Sequence, residues 1–188
     1  DARTSYERMI TLVTKAERYL EAKEAWAPRN GGAGPIQTLP PIEGAALLSL
    51  AELRRAAGRA KGGPVVARCE RSPEAVAFAS RPDVEAIATR GPLTPAHVIR
   101  TQPVPLVAGG DWAGAVSRYA ERYLEYFARN ATPGLTCLDP APRWVVWPGE
   151  GVVTFGVSAT DPRIVADLAR HTARAIEWAE RLGGGRAL

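Results

Sequence analysis

His97 and His171 are the only imidazoles in this 188-residue chain, and imidazole is the side chain that titrates near neutral pH without help. They lie far apart, so no H-x-H, H-x-x-x-H or H-E-x-x-H pattern exists, and a three-ligand catalytic zinc centre inside the chain is not expected. His171 falls on a helical pattern beside Arg170 and Arg174, a surface or packing position. His97 stands in Thr94-Pro-Ala-His-Val-Ile-Arg-Thr101, three residues before Arg100. That spacing sets two side chains near one another on a helical turn, where an imidazole and a guanidinium can face one anion. The same two groups can instead pin a proline-broken loop by bonding its unpaired carbonyls. Both readings stay open on the residues alone.

Other familiar chemistry is excluded by motif. Gly149, Gly151 and Gly156 do not fit G-x-G-x-x-G, and a β-rich run rather than a helix follows Gly151. There is no nucleophile-elbow serine and no G-x-x-x-x-G-K-[ST], which removes hydrolase and P-loop readings. Glu150 is either an acid or base at a hairpin tip or an exposed turn residue. Cys69 and Cys137 have neither CxxC nor Cys/His spacing and read as reduced, half-buried thiols.

These residues must be carried by an α/β framework. Tyr6, Met9, Ile10, Val13, Tyr19 and Leu20 recur at three and four, predicting an amphipathic helix over about 3–26. The Gly/Pro-rich stretch that follows marks a linker, so the chain divides into a helix at 1–27, a linker at 28–43 and an α/β domain at 44–188. A second helix is expected from Gly44 to about Ala60, stopped by Gly62-Gly63. Pro64 to Cys69 reads as a strand. Ser72-Pro73-Glu74 and Arg81-Pro82-Asp83 open two short helices. Four prolines between Gly91 and Val107 allow only a single turn around Ala96, His97 and Val98, then a short edge strand at Val104 to Val107. Trp112 to Arg129 carries a helical stripe. Arg143-Trp-Val-Val-Trp-Pro148, a Gly-Glu-Gly turn and Val152 to Phe155 describe a hairpin, and Thr160-Asp161-Pro162 opens a long final helix ended by Gly183. The expected fold class is α/β, a small, mostly antiparallel, short-stranded sheet flanked by helices. The tryptophans, two of them flanking Val145-Val146, read as core and interface material.

Charge narrows the partners. Lysine and arginine number 24 against 20 acids, and only Lys15, Lys23 and Lys61 are lysines. The arginines are dispersed rather than striped, which argues against nucleic acid. No apolar run approaches membrane-spanning length and the opening residues lack a signal-peptide pattern, so no membrane partner and a cytoplasmic location are expected. A first residue that is not Met, followed almost at once by helical periodicity, reads as a piece of a longer protein.

The stretches GPLTPAHVIRTQPVPL and LDPAPRWVVWPGEGVVTFG, followed by RIVADLARHTARAIEWAERLG, resemble the aldolase portion of bifunctional rhamnulose-1-phosphate aldolase/short-chain dehydrogenases, in the class II aldolase/adducin superfamily. SYERMITLVTKAERYLE is similar to the helix that follows the zinc-binding His-Gly strand there. The resemblance implies a chain downstream of the zinc histidines and the catalytic glutamate, so no catalytic or metal residue is carried over. It implies a parent protein that reversibly cleaves a ketose 1-phosphate, such as rhamnulose 1-phosphate, to dihydroxyacetone phosphate and lactaldehyde. Zn²⁺ and, for a fused dehydrogenase, NAD belong to that parent, with no cofactor in this chain. Its partners would be the upstream segment carrying the metal ligands, a small sugar phosphate and a second copy of itself. His97, Arg100 and Arg143 are then the candidates for phosphate contact, arginine matching phosphate geometry with two parallel N–H bonds. Arg143 to Gly156 with the helix beyond also resembles the superfamily's strand, His-Gly, strand, Gly, helix element, with Gly149 and Glu150 where the histidine stands. That implies a degenerate, metal-free second copy of part of the aldolase core. The alternative is a catalytically inactive adducin-like scaffold or oligomerisation module.

Overall fold

The computed structural model describes residues 1–24 and 41–184. Its centre is the predicted hairpin. In β3 (Trp144–Trp147) successive side chains point to opposite faces of the sheet, and all four are buried. A strand apolar on both faces must be covered on both. β4 (Gly151–Gly156) pairs antiparallel with β3, Val145 opposite Val153, and on its other edge antiparallel with β1 (Val66–Glu70), Cys69 also opposite Val153. β2 (Leu106–Val107) pairs parallel with β3, giving the order β1-β4-β3-β2. Two pairings are antiparallel and one is parallel, so the sheet is mixed.

Helices cover the two faces. On one side α2 (Gly44–Lys61) and α6 (Trp112–Asn130) bring Leu53, Ala57, Trp112, Val116 and Tyr119 against Val145, Trp147, Val153 and Phe155. Trp112 meets Trp147 edge to face, with centroids 5.3 Å apart, a geometry that the ring quadrupoles favour. The Trp112 indole N–H, which would otherwise be buried unpaired, donates to Ser49 Oγ at 2.6 Å. On the opposite side α3 (Pro73–Ala79), α4 (Val84–Ala88) and α7 (Asp161–Arg181) bring Phe78, Ile87, Val165 and Ala169 against Trp144, Val146 and Val152. Burying each large apolar side chain contributes about 1.5–3 kcal/mol. α5 (Pro95–Thr101) packs beside α7.

Local chemistry sets most boundaries. Ser72 Oγ accepts from the Ala75 amide with Pro73 at the first position of α3, and Gly62 closes α2 at φ 78, a left-handed conformation that costs glycine little. α5 is longer than the single expected turn because nothing interrupts it before Pro103, which bars the preceding Gln102 from helix. α1 (Ala2–Ala22) follows its predicted stripe and buries no residue. Positions 25–27 of the expected first helix and 28–40 of the expected linker lie outside the described residues.

The three glycines that loosely resembled a nucleotide loop each have a backbone reason. Gly149 takes φ 78 at the turn, and at Gly151, φ 126, a Cβ would strike the Glu70 carbonyl of β1. Gly156 lets the end of β4 pass against the start of α7, where a Cβ would meet Pro162 Cδ at 2.7 Å and collide with Asp161. Gly156→Ala should therefore lower stability by about 1–3 kcal/mol in urea unfolding, the usual cost of overpacking. Gly110→Ala, where a Cβ meets nothing within 4 Å, should stay within about 0.5 kcal/mol of wild type. Equal losses in the two variants would contradict this account of Gly156.

Candidate functional site

Lys61, Arg100 and Arg143 converge where β4 ends and β3 begins. They line a cavity of about 260 Å³ together with Asp161 and an apolar wall that includes Ala57, Val65 and Phe155. Four separate elements supply the charged groups. Lys61 is the last residue of α2, Arg100 lies in the last turn of α5, Arg143 immediately precedes β3 and Asp161 opens α7. Behind them Asp139 accepts from both terminal nitrogens of Arg143 at 2.7 Å and from Lys61 Nζ at 2.5 Å. Burial pushes the Asp139 carboxyl up, but the hydrogen bonds and charges of Arg143 and Lys61 outweigh it and hold the group below the ordinary carboxylate range.

The cations therefore differ in role. Both Nη atoms of Arg143 are engaged by Asp139, so its end-on fork is taken, two of its five N–H donors are used and it offers the cavity chiefly charge. Lys61 gives Asp139 one of three ammonium protons. Arg100 is exposed and makes no ion pair among the described residues, which leaves its whole fork available. Asp161 is kept ionised first by hydrogen bonds from Ser158, then by the Val157 amide and the Arg100 charge. Its Oδ2 accepts from the Val157 and Ser158 amides at 3.1 and 3.0 Å, so it ties the β4–α7 loop to the helix.

Arg100 and Arg143 thus share a cavity, and His97 does not line it. His97 is half-buried on α5 and its Nδ1 has no hydrogen-bond partner. Exposed His171 lies on α7. Glu150 is no free acid, since it receives Arg71 Nη2 at 2.6 Å and fastens the hairpin tip to the end of β1. The Cys69 thiol is pushed up to about 11, chiefly by burial, with Arg71 opposing and Glu150 and Glu70 reinforcing, which makes it a poor nucleophile. Sequence reasoning missed Lys61, Asp139 and Asp161. Lys61 reads there only as one of three lysines in a chain of dispersed basic residues, Asp161 as a helix-opening residue, and nothing local links Asp139 to a lysine 78 positions away.

A second groove, about 180 Å³ between α3 and α7, is lined by Arg68, Arg163, Arg170 and Arg174 but also by Glu70, Glu74, Asp167 and Glu177. Its four cations face four carboxylates, so it holds no surplus charge for an anion. Among the described residues no group of three or more His, Cys, Asp or Glu is placed to hold a metal ion. The side chains described here do not fit a zinc centre. No described helix is long and apolar enough to cross a membrane.

The family described as "Aldolase class II, second domain" matches residues 45–188. An "Uncharacterized oxidoreductase YuxG" of Bacillus subtilis (strain 168) is 24% identical over 196 residues, covering 96% of this chain. The chain spans 28% of the length of that relative. No solved structure matches.

The depressed Asp139 carboxyl has a consequence for acid stability. Its contribution is complete above the unfolded-state value of about 4 and is lost as pH falls through the lower folded value. Asp139→Asn should melt below wild type at pH 7, and its melting temperature should fall less between pH 6 and pH 3, so that the two curves converge. Parallel curves would mean that the ion pairs contribute nothing to folding.

Proposed function

The chain belongs to the class II aldolase family as its second domain, and on that premise we propose that it is the supporting half of a zinc-dependent sugar-phosphate aldolase. The substrate in this reading is a ketose 1-phosphate such as rhamnulose 1-phosphate, cleaved to dihydroxyacetone phosphate and lactaldehyde. The metal and its histidines belong to an upstream aldolase segment, which is this chain's partner. The length and printed name of the oxidoreductase relative support a parent protein that also carries an NAD-dependent dehydrogenase, which would oxidise the aldehyde.

One observation carries the reading: an unpaired guanidinium facing a cavity whose two other cations are already held in place. In a reversible aldol cleavage the phosphate does not react, and its binding serves to hold the reacting carbons in register. Arg100 receives the phosphate on its free fork, Lys61 adds its remaining protons, and Arg143 adds field without moving. Arg100 replaces Arg143 as the principal contact because its Nη atoms are unoccupied. His97, which lies off the cavity, takes no part in this contact.

Millimolar inorganic phosphate or dihydroxyacetone phosphate should raise the melting temperature of wild type against chloride of equal ionic strength. Ligand at about tenfold its Kd stabilises by about 1.4 kcal/mol, about 3–5 °C for a chain of this size. Arg100→Ala should show no such rise. An equal rise in both proteins would move the site elsewhere, and no rise in either would remove the phosphate-site reading.

The alternative, an adducin-like assembly module, is favoured by a different observation. Tyr6, Met9, Ile10, Leu12 and Val13 on α1 are 45 to 66% exposed, an apolar surface that the α/β domain leaves uncovered. Absence of a phosphate response together with a sedimentation coefficient that rises with concentration, and falls back in Ile10→Glu, would favour assembly over substrate binding.

A further inference from the structure

Gln102 has a backbone conformation that its neighbours do not require. Its φ is 59° and its ψ 174°, a region open almost solely to glycine. Pro103 bars it from helix, but ordinary extended backbone at negative φ would satisfy that restriction equally well. The side chain supplies the reason. Gln102 is 2% exposed, its Nε2 donates to the Asp139 carbonyl at 2.9 Å, and its Oε1 accepts from the Tyr119 hydroxyl at 2.7 Å. That hydroxyl also lies 2.8 Å from the Val104 carbonyl. The Gln102 amide donates to Val98 O at 2.9 Å and closes α5.

One buried residue is thus fastened at its backbone to the helix that carries Arg100. At its side chain it is fastened to the peptide whose carboxylate holds Lys61 and Arg143. Among the described residues it is the hydrogen-bonded bridge between those two parts of the cavity. We propose that Gln102 is the positioning residue of the anion site, a strained spacer that fixes the free cation on α5 relative to the cation pair held by Asp139. Strain of this kind persists only where surrounding contacts over-determine it, and two side-chain bonds to different elements do so. The consequence for binding rests on the anion-site reading of the cavity. The consequence for Asp139 does not.

Gln102→Gly separates positioning from folding, because glycine adopts the same φ and ψ without strain while the bridge is deleted. The variant should unfold cooperatively. Its Asp139 carboxyl, followed by carbon-13 NMR, should titrate about half a pH unit or more above wild type as its hold on Lys61 and Arg143 loosens. Its affinity for inorganic phosphate should weaken about tenfold, the worth of one charge-assisted contact. If Gln102→Gly fails to unfold cooperatively, Gln102→Met keeps the bulk, deletes both bonds and is judged by the same two readouts. A folded variant in which Asp139 titrates as in wild type overturns the proposal, whatever phosphate does. A shifted Asp139 in a protein whose wild type binds no phosphate leaves Gln102 positioning the cations and overturns the anion-site reading instead.

Discussion

A strand with no solvent face governs this molecule. Trp144, Val145, Val146 and Trp147 are all buried, so the sheet needs helices on both sides, and each helix must present an apolar stripe to one parity of the β3 side chains. α2 and α6 take Val145 and Trp147, while α3, α4 and α7 take Trp144 and Val146. Residues of both layers, Ala57 of α2 and Val165 of α7, come together around one cavity at the end of β4. There α2 stops, α7 starts, and charged side chains from several elements line the opening.

Within that cavity, the protein solves the problem of holding like charges together by giving two of them a resident carboxylate. Lys61 and Arg143 would repel one another across a site with low-dielectric walls. Asp139 neutralises part of that repulsion and spends the Arg143 fork in doing so. The third cation, Arg100, makes no ion pair among the described residues and stays uncommitted. In the anion-site reading proposed above, a fixed pair orients and a free arm captures, with the charge arranged before any ligand arrives.

How much of this was legible in the sequence follows from the range of each interaction. The hairpin was readable because two β-rich runs enclose Gly-Glu-Gly, and α7 because Thr160-Asp161-Pro162 and Gly183 punctuate it; these are signals contained within a few residues. The parallel pairing of β2 was not readable from two residues, since its direction is set by α6 crossing between them and β3. Arg100 and Arg143 were found by residue type, but the expected third member, His97, lies off the cavity. The cavity is met by Ile99 and Arg100, and at 100° per residue His97 lies roughly 110° away around α5. Asp139, Gln102 and Lys61 carry no local signal, because what makes them matter is contact across dozens of residues.

The order in which the sheet is assembled along the chain has its own effect. The two central strands come late: β3 begins at Trp144 and β4 ends at Gly156, whereas the helices that cover them begin at Gly44. During synthesis α2 through α6 leave the ribosome before the surface they are shaped to cover exists. Their apolar stripes, and the unpaired edges of β1 and β2, stay open for the time taken to add residues up to Gly156. At about 5–20 residues per second that is several seconds of exposure. A nascent chain of this design is a natural client for chaperones, and its burial is completed only after the hairpin, when α7 follows and closes the second layer over it.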